Sequence, residues 1–276
     1  MVSDSEFLER LQTSIEQNSI VLPTLPEVAL RVRDAVEQDN ATAKDISDLV
    51  ATDAALSARL LQVANSPLYG GRVTIDSIQM AITRLGTRMV RTLVVNLAMK
   101  QIFQPTTSTL DRRLRQLWEE SVQVAAISRA LAQTQPHLDA DQAMLAGLIH
   151  NIGALPILTL AEDIPELMDC EERLDGLLRN LTPVVGRQIL ETWHFPDTLV
   201  AVPAHCGDLD YDGGERADYV DIVLIARLQC NPDAIGGGDW SRAPAFAKVG
   251  LEPEVAVIEI EGVAEEVEAV EQMLSV

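Results

Sequence analysis

Apolar side chains recur three and four residues apart along most of the chain, the spacing that puts them on one face of an α-helix. After a polar opening helix, Leu22-Pro23-Thr24-Leu25-Pro26 forces an extended entry. Pro26 suits the first turn of a helix continuing with Val28, Val32, Ala35 and Val36. Thr42 with Asp45 forms a capping box before Ile46, Leu49 and Val50, and Asp53 caps a helix bearing Leu56, Leu60, Leu61 and Ala64. Asn65-Ser66-Pro67 stops that helix and Gly70-Gly71 turns the chain. Ile78, Ile82 and Leu85 end at Gly86, a left-handed C-cap. Thr87 is then expected to cap a long apolar helix through Val90, Val94, Leu97 and Ala98.

The second half continues the pattern. A helical period runs from Leu114 to Ala132, and Asp139 with Gln142 opens the helix that leads to His150. Further helices are predicted over 165–180, 182–193, 197–206 and 218–229, and an irregular connection over 231–250. The tail beyond Glu252 reads as an amphipathic helix, although Val255–Ile260 alone would also suit a short strand. Its eight glutamates make a strongly acidic face, read as solvated surface. The expected segments are an N-terminal helix (1–20), a lobe of short helices (21–113), a second lobe (114–230), and a linker with an acidic helix (231–276).

Composition agrees with an all-α bundle: 47% of the residues are apolar but only 4% aromatic, and Ala, Leu and Val dominate. The net charge of -21 disfavours polyphosphate and anionic membrane surfaces, so neither nucleic acid nor membrane is expected as a partner. The charge is uneven, since residues 72–115 hold eight Arg or Lys against two acids. Within that segment Arg84, Arg88 and Arg91 would share one side, as a candidate protein-docking face, if Gly86 kept its two helices roughly continuous. The three cysteines (Cys170, Cys206, Cys230) form no C-x-x-C and suit reduced thiols. With no basic-then-apolar leader in the sequence, the expectation is a soluble cytoplasmic protein.

Several stretches together resemble the HDOD family, a branch of the HD superfamily thought to act as signalling output domains. They are L-P-T-L-P-E-V-A (22–29), D-A-A-L-S-A-R-L-L-Q-V-A-N-S-P-L-Y-G (53–70), S-I-Q-M-A-I-T-R-L-G (77–86), L-W-E-E-S (117–121), L-A-G-L-I-H-N-I-G (145–153) and V-G-R-Q-I-L-E-T-W-H-F-P (185–196). The resemblance spans roughly residues 20–230 and implies an HD-like helical fold. Active HD enzymes hold cations with an early His, an adjacent His-Asp pair and a late Asp, which together polarise water and phosphate. Aligned residue by residue, those positions here are Glu120, His150, Asn151 and Arg227. His150 alone keeps a ligand's identity. Asn151 offers a neutral amide, and a guanidinium at 227 repels a divalent cation at any useful pH. The resemblance therefore leads to an expectation of no metal and no cofactor, and of a Glu120–Arg227 ion pair across the former site.

Taken singly, Asn151 reads as a helix-interior amide and His150 as a satisfied core histidine, and both readings outweigh a catalytic one. His205, a possible pocket residue, is read first as structural or half-exposed, and His137 and His194 as helix-end residues. No G-x-S-x-G, P-loop or strand-borne G-x-G-x-x-G is present. Three functions stay open. The first is a non-catalytic signalling or regulatory module acting on a protein partner. The second is a metal-dependent phosphohydrolase or cyclic-nucleotide phosphodiesterase with unorthodox ligands. The third is DNA binding through a helix-turn-helix-like pair at 77–99, disfavoured by the surrounding acids and an apolar second helix.

Overall fold

The computed structural model describes residues 3–17, 19–20, 22–37, 42–70, 73–103, 108–231, 240–260 and 263–275. Helix α1 (Asp4–Glu16) begins at a Ser3–Glu6 capping box and packs on the second half of the molecule, where Arg173 and Asn180 both reach Asp4 at 2.7 Å. Five helices follow: α2 (Glu27–Glu37), α3 (Ala43–Val50), α4 (Ala54–Ala64), α5 (Ile78–Leu85) and α6 (Thr87–Ile102). The Thr42–Asp45 box and the Asp53 cap stand as the sequence predicts. Asn65 does more than end α4. Its Oδ1 accepts from the Ile75 N–H at 2.8 Å while its Nδ2 donates to the Ile75 carbonyl at 2.7 Å, which staples the loop closed.

Next comes α7 (Ser108–Gln133), which packs along α8 (Ala140–Ile149). Gly147 allows this approach, since a Cβ there would lie 2.5 Å from the Ala125 Cα. Then follow α9 (Ala154–Glu162), α10 (Pro165–Met168), α11 (Glu171–Thr192), α12 (Asp197–His205) and α13 (Tyr219–Cys230), with α14 (Pro244–Val249) and α15 (Val263–Ser275) closing the chain. The segment Ala140–Glu162 is long and apolar enough to cross a membrane, but 94% of its most apolar window is buried, and it turns between α8 and α9. The main hydrophobic core runs from Phe7 to Leu274, a small second cluster gathers Ala64, Ile75 and Ala81, and all regular structure among the described residues is helical.

Four expectations are corrected. Gly86 has φ 82° and ψ 159°, outside the left-handed helical region. It serves as the N-cap of α6, so Thr87 is the first helical residue rather than the cap. Helices predicted over 165–180 and 182–193 divide instead at Asp169–Cys170, and α11 passes unbroken through Pro183. The proline ring deprives the Arg179 carbonyl of its usual helical N–H donor, and both residues line an open cleft. The 231–250 connection contains a 3-10 turn at Trp240–Arg242 and α14, while 232–239 lie outside the described residues. The tail is α-helical only from Val263; before it, Val257–Glu259 form a 3-10 turn, neither the helix nor the strand considered.

Candidate functional site

Helices α7, α9, α11, α12 and α13 and the α8–α9 turn line an open cleft of about 640 Å³. Its lining includes Glu120 of α7, His150 and Asn151 at the end of α8, Pro203 to Asp208 around the end of α12 with the exception of His205, and Arg227 of α13. All four positions aligned with metal ligands thus meet in one place. The α8–α9 turn seats His150 and Asn151 there because Gly153 lets α11 come close. A Cβ at 153 would lie 2.3 Å from the Thr182 carbonyl oxygen and 2.5 Å from the Gly186 nitrogen.

His150 is 2% exposed. Its Nδ1 lies 2.7 Å from the Gly147 carbonyl, which only accepts, so Nδ1 carries the hydrogen and Nε2 the lone pair. That Nε2 is buried without a partner. Burial, reinforced by the nearby Arg227 charge, pushes the imidazole down to about 3, so it is neutral at physiological pH. Asn151 is committed to α7. Its Nδ2 donates to the Leu117 carbonyl at 3.3 Å, and its Oδ1 lies 3.0 Å from the Ser121 hydroxyl, whose one hydrogen is shared with the Leu117 carbonyl at 2.7 Å.

The expected Glu120–Arg227 ion pair does not form: these side chains have no N···O contact within 4.0 Å. Arg227 turns instead toward the end of α12, its Nη1 donating to the Cys206 carbonyl at 2.9 Å and touching Sγ at 3.4 Å. A backbone carbonyl satisfies an N–H without the desolvation that bringing a carboxylate fully into the pocket would require. The guanidinium still acts on Glu120 at longer range. Burial raises the Glu120 carboxyl and Arg227 opposes the rise. The Nε of Arg227 is buried and unpartnered.

This donor set does not fit the metal of the HD enzymes. Such a site needs several anionic or imidazole donors aimed at one point. Here the Asn151 oxygen is engaged by a hydroxyl, a guanidinium occupies the same cleft, and no three His, Cys, Asp or Glu side chains gather into a ligand cluster among the described residues.

Other sequence candidates fall elsewhere. His205 is exposed and outside the cleft lining, with its ring 5.2 Å from that of Tyr211. His137 Nε2 binds the Ala217 carbonyl at 2.8 Å, and His194 follows α11 with a φ of 56°. The break at Gly86 removes the condition under which Arg84, Arg88 and Arg91 would share a side. Arg84 is exposed and donates to the Val73 carbonyl at 2.6 Å, Arg88 is exposed, and the partly buried Arg91 lines a different crevice beside Arg33, His194 and Phe195. Sequence reasoning missed Arg113, Asp175 and Arg179 at the cleft. Arg113 binds Asp175 and Glu171, each at 3.0 Å, and no local spacing signals those pairings between α7 and α11.

A sequence model of the HDOD domain matches residues 22–208. The chain belongs to the HDOD family. It is 31% identical to a crystallised protein of Shewanella amazonensis SB2B, provisionally named a metal-dependent phosphohydrolase; the match covers 99% of this chain and 100% of that one with a TM-score of 0.85. A provisionally named signal transduction protein from Marinobacter aquaeolei VT8 shares the fold at 20% identity and a TM-score of 0.68, over 99% of this chain and 66% of that one. An uncharacterized protein of Treponema pallidum (strain Nichols) is 26% identical over 233 residues, 79% of this chain but 44% of the relative, so the chain spans less than half that protein's length.

Within this HDOD protein the family stretches act largely as clasps between elements. The Pro23 carbonyl of the first stretch accepts the Trp193 indole N–H of the last at 3.0 Å, and the Tyr69 hydroxyl of A-N-S-P-L-Y-G bonds Asp141 of α8.

Proposed function

We propose that this HDOD protein is a non-catalytic signal-transduction and regulatory module that acts through contact with a partner protein, the metal site of the HD superfamily having been converted into a metal-free polar cleft. The observation that carries this reading is the double commitment of the site: the Asn151 amide is bonded into α7, and the Arg227 guanidinium sits where the resemblance places a metal-binding carboxylate. Neither can help assemble a cation with the one imidazole, and without a cation the cleft has no evident means of activating water or polarising a phosphate. The HDOD membership supports a signalling output role. The near-complete burial of α6 from Thr92 to Met99 argues against a recognition helix entering a DNA groove.

A metal-dependent phosphohydrolase is the second reading, favoured by the name of the Shewanella relative at 31% identity. One assay separates the two: hydrolysis of mono- and diester phosphates, including cyclic nucleotides, with manganese, iron, nickel or zinc added. The proposed module gives rates at the level of the protein-free blank. A turnover that the metal stimulates and that His150→Gln abolishes would establish the hydrolase instead.

A further inference from the structure

Two buried polar atoms of opposite sense are left without partners among the residues lining this cleft. The Nε–H of Arg227 is a donor and the Nε2 of His150 an acceptor, its tautomer fixed by the Gly147 carbonyl. Buried groups of this kind are ordinarily satisfied, so each points to something that binds it. Both residues line the same cleft.

Among the described residues none of the other charges around the cleft forms an ion pair with Arg227, although the buried Glu120 carboxyl of the same cleft feels it at longer range. Arg113 is matched by Asp175 and Glu171, whereas Arg227 spends its Nη1 on the Cys206 carbonyl. Arg179 is exposed at the same cleft, and Asp208 lies on its rim. The space, about 640 Å³, falls within the range of small-molecule sites.

We propose that the cleft binds a small oxyanion that carries its own hydroxyl, the anionic oxygen accepting from Arg227 Nε–H and the hydroxyl donating to His150 Nε2. The inference rests on the metal-free reading of the site and supplies the module with a chemical input. A bare oxyanion satisfies only the arginine, and a metal cation is repelled by it. A ligand with both functions completes the two unpaired groups at once. Two sources share this chemistry, hydrogenphosphate and a 2-hydroxy acid, and each has a close analogue that lacks the hydroxyl hydrogen.

The test is isothermal titration of the full chain at matched ionic strength with two pairs of probes, inorganic phosphate against sulfate and malate against succinate. A site built to receive a hydroxyl rejects the analogue without one, so the hydroxylated member of one pair binds saturably and at least ~10-fold more tightly, and that pair names the source. In long-range nitrogen NMR of the imidazoles the His150 Nε2 resonance moves upfield as it accepts the bond. Arg227→Met abolishes the heat, while Arg84→Ala, outside the cleft, leaves it unchanged. The nitrogen measurement needs no variant and decides the matter even if Arg227→Met fails to fold. Equal affinity within both pairs, absence of saturable binding, or a stationary Nε2 signal at saturation would overturn the proposal and leave the non-catalytic reading standing. Stoichiometric metal held by His150 would instead remove the reading beneath it.

Discussion

At position 151 an amide performs a task that a carboxylate cannot, because its nitrogen donates to the Leu117 carbonyl while its oxygen faces the Ser121 hydroxyl. Restoring the ancestral identity with Asn151→Asp would lose the donor and set a negative oxygen against that carbonyl. A cost of about 1–3 kcal/mol follows, measurable by urea denaturation at neutral pH, with no gain of metal. His150 supplies a pH signature. Its folded value of about 3 lies below the ordinary 6.5, so the unfolded chain binds the proton more readily. The neutral burial is fully tolerated above the unfolded value, and stability falls as pH drops from about 6.5 toward 3. Between pH 7 and pH 4 this one group removes on the order of 3 kcal/mol, and His150→Gln should flatten that acid limb by a similar amount relative to the parent. These identities were legible in the sequence because the motif stretches place them. The direction in which Arg227 points was not, since the choice between a carboxylate on α7 and a carbonyl after α12 depends on tertiary packing.

Among the elements, the close passage of α11 over the α8–α9 turn holds the cleft in shape. Gly153→Ala would drive a methyl group into the Thr182 carbonyl and Gly186 nitrogen, both backbone atoms that cannot rotate away. Thermal or chemical denaturation should show a loss of about 3 kcal/mol, and the cleft residues should show changed amide shifts. Helix existence was readable from apolar period and caps: the Thr42–Asp45 box, the Asp53 cap and the Asp139 cap all form. Joints were read less well. The sequence predicts separate helices over 165–180 and 182–193, but α11 stays helical through Pro183, which lies at the cleft. Gly86 suggested a tight left-handed turn, but its extended ψ breaks the helical path and separates Arg84 from the two arginines of α6.

Across the whole molecule, one buried charge group ties Tyr69, α7 and α8 to the tail helix α15. Arg129 of α7 is 8% exposed; it binds Asp141 of α8 at 3.1 Å and Glu266 of α15, and its guanidinium lies 5.5 Å from the ring of Tyr69, whose hydroxyl also bonds Asp141. The acidic tail read as wholly solvated therefore sends one of its glutamates inward. Sequence could not reveal this, because Arg129 and Asp141 look like ordinary helix charges and Glu266 lies 137 positions away. Arg129→Met leaves Asp141 buried without its cation and should cost roughly 3–5 kcal/mol. Glu266→Gln keeps a hydrogen-bond acceptor and should cost about 1 kcal/mol, loosening α15 first in hydrogen exchange.

The same packing fixes the chemistry of the cleft. Elemental analysis of the purified full chain, expressed with iron, manganese, zinc and nickel supplied, tests it directly. A metal-free cleft gives metal far below one atom per chain, in the natural protein and in His150→Gln alike. Near-stoichiometric metal that disappears with His150→Gln would contradict it and return the protein to the hydrolases.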